Sequence, residues 1–168
     1  MRRTPTWTPR ARPTRAISSR ASRRPARLWR VCAVVEITYD YAIIRLVPRV
    51  ERGEQINVGV ILSCADSEFL DARIALDEAR VRALDPAVDL DAIRAGLAVI
   101  PKVCAGGPAA GPIGEMPARG RFRWLVSPRS TVIQMSPVHT GRTCDPTATL
   151  EHLLRTMVST RAPEHPST

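Results

Sequence analysis

The chain is poor in the residues that most often announce a function. Cysteine is sparse: Cys32, Cys64, Cys104 and Cys144 are scattered over 168 residues, at spacings that fit neither a zinc pattern nor a dense disulfide framework. They are expected to be reduced, small apolar residues in a cytoplasmic protein. No run approaches the ~20 apolar residues a membrane-spanning helix needs. The best early apolar stretch, Val31–Ile37, is interrupted by Glu36 and lacks a small-residue cleavage site, so a signal peptide is not expected either. No serine sits in a GxSxG elbow, and there is no phosphate loop, HExxH or paired-cysteine motif. No metal site and no cofactor are therefore predicted.

Acid is missing from the start of the chain. Met1–Arg30 carries ten of the 25 basic residues and none of the 16 acidic ones, so Val31–Thr168 has a net charge of −1. The sequence pI of about 10.8 belongs to this stretch, and gives no ground for nucleic-acid binding by the rest. With arginine, proline, serine and threonine and almost no large aliphatics, residues 1–35 are expected to be a disordered basic tail. It reads as an over-extended translation start, with Val31, Val34 or Val35 just before the ordered pattern. The alternatives are an arm meeting nucleic acid nonspecifically or an anionic membrane, and an organelle transit peptide.

What remains suffices for one ordinary core, expected over residues 36–160, with 161–168 disordered. Three strand-like runs open it, YDYAIIRLV, NVGVILSC and FLDARIAL, rich in β-branched and aliphatic residues. Asp77–Leu84 reads as a short helix. Asp89 caps a longer one through Leu90, Ile93, Leu97 and Ile100, which Pro101 ends or kinks. AGGPAAGPIGEMPARG reads as a loop, a mobile lid or connector. RFRWLVS and TVIQMS are read as two further strands. SPVHTG turns the chain, and Asp145 with Pro146 starts a final helix. The prediction is an α+β domain: an antiparallel sheet of about five strands with helices packed on one face, order β-β-β-α-α-β-β-α.

Two polar groupings are candidates for chemistry. Arg45, Arg49, Glu51, Arg52, Glu54 and Asn57 crowd the first strand connection. Alternation puts Tyr41, Ile43, Arg45 and Val47 on one face of the first strand, with Ala42, Ile44 and Leu46 on the better core face. Asn57, Gly59 and Ile61 share a side by the same parity. If registers align, Arg45, Asn57, Arg73 and Arg123 converge on an open sheet face, where guanidinium groups suit a phosphate or carboxylate; otherwise they solvate that face and pair with acids such as Asp71. The second grouping holds Arg129, Ser130, Thr131, Gln134, Ser136, His139 and Thr140 around two turns. His139 is its one histidine and the candidate general acid or base, or else a hydrogen-bonding turn residue.

The segments YDYAIIRLVPRVERGEQINVGVIL, DARIALDEARVRALDP, CAGGPAAGPIG, WLVSPRSTVIQMSPVHTG and CDPTATLEHLL, in that order, resemble the bacterial family catalogued as domain of unknown function 3037. Gln55 departs from it, standing where an aromatic is expected, and the first thirty-odd residues exceed its usual start. The resemblance implies no activity, cofactor or catalytic residue. Members encoded beside a kinase-like protein of the persistence-toxin type imply a protein partner. The expected function is a non-enzymatic binding or accessory domain, engaging a partner or anionic ligand through Arg45, Arg49, Arg52, Asn57, Arg129, Ser130 and His139. The alternative is a small enzyme for a phosphate-bearing or nucleotide substrate, with His139 as acid or base and Arg45 or Arg129 as anion clamp.

Overall fold

A computed structural model describes residues 36–159; the expectations for residues 1–35, Cys32 and residues 161–168 lie outside the described residues. Strands β1 (Ile37–Leu46), β2 (Ile56–Cys64) and β3 (Phe69–Ile74) form an antiparallel meander. Helices α1 (Glu78–Leu84) and α2 (Leu90–Ala105) follow, then a 3-10 segment over Pro108–Glu115 and α3 (Ala118–Val126). Short strands β4 (Ile133–Met135) and β5 (His139–Thr143) and helix α4 (Pro146–Met157) complete the order. Both β4 and β5 pair antiparallel with β1, one on each half of it, so β1 runs through the middle of a five-stranded sheet. The α+β class, the antiparallel sheet and the strand and helix order agree with the sequence.

Three of the four α-helices begin as the sequence predicts, because Asp77, Asp89 and Asp145 each accept a hydrogen bond from a first-turn amide with their side chains. Pro101 does not end α2. Val103 and Cys104 continue the buried stripe of Leu90, Ile93, Leu97 and Ile100, and their packing carries the helix past the missing amide.

Helices flank both faces of the sheet, which corrects the one-sided arrangement. On one face Ala42, Ile44, Leu46 and Ile61 pack with residues of α1, α2 and α3. On the other, Leu150, Leu153 and Val158 pack on Val60, Leu62 and Cys64. The cause lies in β2, where every residue from Val58 to Cys64 is buried, as befits a strand covered on both sides. Burial also pushes the Cys64 thiol above its ordinary range and the Cys104 thiol up to about 12. Neither thiol is in a disulfide.

RFRWLVS is helix α3, a second correction. Its alternating Phe122 and Trp124 read as a strand, but Phe122 and Leu125 are the buried residues, and their three-residue spacing is helical. The glycine-rich stretch before it is a folded connector. The guanidinium of Arg121 donates from Nη1 to the carbonyls of Val103 and Cys104 at the end of α2, at 3.2 and 3.0 Å. A Cβ on Gly106 would collide with that guanidinium, so the bare glycine lets Arg121 cap the helix.

Candidate functional site

The register of β1 decides where the arginines point. Ile44 lies opposite Gly59, but Arg45 lies opposite Asn57. Val58 is thus an extra residue, a bulge that reverses parity along β2. Asn57 therefore faces α4, while Gly59 and Ile61 face α2, contrary to simple alternation. A Cβ on Gly59 would come within 2.6 Å of the Arg73 carbonyl oxygen and 2.9 Å of Ile44 Cδ1, so this position accepts only glycine without a local shift.

Arg45, Asn57 and Arg73 do share a sheet face, and α4 covers part of it. Asn57 donates its amide from Nδ2 to the carbonyl of Met157 at 2.9 Å, pinning the end of α4. Arg73 pairs with Glu151 of α4 at 2.7 Å and with Asp71. Arg123 belongs to α3 and is exposed, which removes it from the group. Arg45 differs from the other two: it forms no ion pair or hydrogen bond among the described residues, and its buried Nε has no partner. Its neighbour across β4 is Gln134, whose Nε2 donates to Thr131 O at 2.9 Å.

Past Arg45 the face runs on over β1 and β5, where Tyr39 and Tyr41 pack at the edge of the α4 cluster and His139 is exposed. Ile43 and then Tyr41 follow along β1 in steps of two residues, all half-buried. Tyr41 lies opposite His139, with ring centroids 5.2 Å apart. Tyr39 is 6.0 Å from Tyr41 between centroids and lies across Gly141, where a Cβ would meet its ring at 2.6 Å. The result is a shelf, with rings at one end and, at the other, a guanidinium that no described residue pairs with. No side chain of this strip is acidic.

The remaining candidates are elsewhere. Arg49 reaches the buried Asp85 at 3.6 Å, and Arg52 pairs with Glu54 at 2.8 Å within the exposed hairpin. Arg129 stacks on Trp124, 4.2 Å from the ring centroid, and donates to Trp124 O; Trp124 packs on the α2 side of the sheet. Ser130 is exposed beside it. His139 and Arg45 thus share a face that Arg129 does not. Ser136 accepts a hydrogen bond from Ile43 N and donates to Pro137 O, bridging the break between β4 and β5. Thr140 donates to Asp40. Neither hydroxyl is directed to His139 as a nucleophile would be.

Two concavities run along α2, and the sequence signalled neither. The larger, about 500 Å³, is lined by Pro48, Asp85, Val88, Asp89, Ile93 and Val132 among others. Its acids are already engaged, Asp85 by Arg49 and Ala87 N, Asp89 as the α2 cap. The smaller, about 160 Å³, lies beside Trp124 and Arg129. Among the described residues no three His, Cys, Asp or Glu side chains are grouped to hold a metal, and no helix is long and apolar enough to cross a membrane.

Comparison with the curated proteins and with the solved structures returned no match. The family model described as "Protein of unknown function (DUF3037)" matches residues 41–158. That span begins at Tyr41 within β1 and ends at Val158 beside the last helix, taking in every later element of the fold. The chain belongs to this family.

Proposed function

We propose that this chain is a binding or accessory domain whose working surface is the strip of the sheet along β1 and β5, with Arg45 as the anchor for an anionic group on a partner or ligand. The observation that supports the reading is a guanidinium with no partner among the described residues: a half-buried arginine without a counter-ion is costly to keep, whereas an incoming carboxylate or phosphate would pair with it bidentately. Arg49 and Arg52, each already paired, are peripheral to this site. Asn57 supports it by holding α4 in place. A kinase-like protein partner, and a bacterial cytoplasm as its location, belong to the same proposal.

The test is a titration of the full chain with pyrophosphate and citrate, followed by amide chemical shifts. Perturbations centred on Arg45, Asn57 and Gln134, absent in Arg45→Gln, are expected. Perturbations confined to Arg49 and Arg52, or unchanged by Arg45→Gln, would move the site to the hairpin.

A further inference from the structure

The shelf carries more than one arginine, and its other end is aromatic. Side chains on one face of a strand repeat at about 6.6 Å. From Arg45 through Ile43 and Tyr41 to Tyr39, the shelf therefore measures about 20 Å by that same spacing. Tyr41 and His139 pair their rings across β1 and β5, Tyr41 half-buried at the edge of the α4 cluster and His139 exposed. The strip has no acidic side chain to repel a polyanion. Rings on a sheet surface and a cation one short span away are what flexible single strands require. Bases stack on aromatic faces whatever their sequence, and phosphates meet arginine.

Resting on the reading of Arg45 as an anion anchor, we propose that the strip binds single-stranded nucleic acid, two or three bases lying along β1 against Tyr41 and His139, with a phosphate at Arg45. A double helix is excluded by the same geometry, because its bases are already stacked on one another and its backbone offers the rings nothing to cover. Ile43, between the rings and the guanidinium, supplies an apolar floor for the sugar.

The experiment is fluorescence anisotropy of a labelled twelve-residue oligothymidylate with the full chain, at 0.05 and 0.3 M salt. Binding by arginine and phosphate alone collapses at the higher salt, while stacking persists, so the variants are read there. His139→Ala, at an exposed position, and Arg45→Gln are each expected to weaken binding about tenfold at 0.3 M salt, in line with the loss of one stacked base or one charged contact. Tyr41→Phe keeps the ring and is expected to bind as the parent does, which separates stacking from any loss of fold in Tyr41→Ala. Arg142→Gln, on the opposite face beside Glu36, is expected to have no effect.

Equal binding of His139→Ala, Arg45→Gln and parent would overturn the proposal and assign the affinity to the arginine-rich segment. Equal affinity for a duplex of the same length would overturn it as well. If an acidic peptide such as oligoglutamate binds with Arg45 dependence while the oligonucleotide does not, the anion anchor stands and the nucleic-acid assignment falls. If Arg45→Gln alters neither, both fall.

Discussion

Ile44 and Arg45 are neighbours in the chain and look out on opposite sides of one sheet. Ile44 is fully buried under α2 among Leu46, Ile61 and Leu97. Arg45 is half-buried, and its guanidinium meets no counter-charge among the described residues. The α2 face is closed by three helices. On the α4 face one helix lies over β2 and β3, with Tyr39 and Tyr41 of β1 packed at its edge and His139 of β5 exposed. One face thus buries its strand residues in a core, while the other leaves part of its surface uncommitted among the described residues.

The contrast is first visible in stability. Leu46→Ala, on the closed face, should cost about 2–5 kcal/mol, the usual range for deleting a buried aliphatic side chain. Ile43→Ala, half-buried on the strip, should cost less, about 1–2 kcal/mol, because part of that side chain already meets solvent. Urea denaturation of the two variants measures the gap directly, and equal costs would mean that the strip is covered in solution.

Arg121 sharpens the comparison between two arginines. Its guanidinium satisfies the last carbonyls of α2, so Arg121→Ala should cost about 1.5–3 kcal/mol, the scale for hydrogen bonds involving a charged group. Its loss should also loosen the connector around Gly106, seen as faster amide exchange from Gly106 to Gly114. Unchanged exchange would make the capping contact dispensable.

The smallest effect is a pH dependence on the closed face. Burial alone would raise the Asp40 carboxyl, but hydrogen bonds from Thr140 and Arg119 and the charge of Arg119 together hold it below its ordinary value. A carboxyl that is more acidic when folded contributes stability above its unfolded value near about pH 4, and that contribution is lost as pH falls through the lower folded value. Asp40→Asn removes the dependence. Its denaturation midpoint should therefore change less between pH 5 and pH 3 than the parent's, and parallel curves would refute the assignment.

The sequence displayed the strands and helices more clearly than the site. The strands of the meander and the Asp77, Asp89 and Asp145 caps are local signals: alternation and a side chain bonding its own helix. The faces of β1 followed from alternation, which placed Ala42, Ile44 and Leu46 in the core. Three things were hidden because they depend on distant partners. The bulge at Val58 exists only relative to the β1 register, so the sides of Asn57 and Gly59 could not be read from parity. Helix α3 has strand-like alternation that packing of Phe122 and Leu125 overrides. HTGRT is too short and polar to declare itself a strand, and β5 pairs with β1 about a hundred residues away. The arginine cluster was visible, but not which arginine lacks an acid: Asp85, Glu54, Asp71 and Glu151 engage Arg49, Arg52 and Arg73, and leave Arg45.

The most direct measurement takes Ile44→Ala and Arg45→Gln side by side, each assayed for melting temperature and, at a temperature where both are folded, for pyrophosphate affinity. Ile44→Ala should melt well below the parent and bind as it does. Arg45→Gln should melt at or slightly above the parent, since it removes a half-buried charge without a partner, and should lose pyrophosphate binding. A marked fall in melting temperature for Arg45→Gln, or undiminished affinity, would contradict the account, because Arg45 would then be part of the scaffold and not its open site.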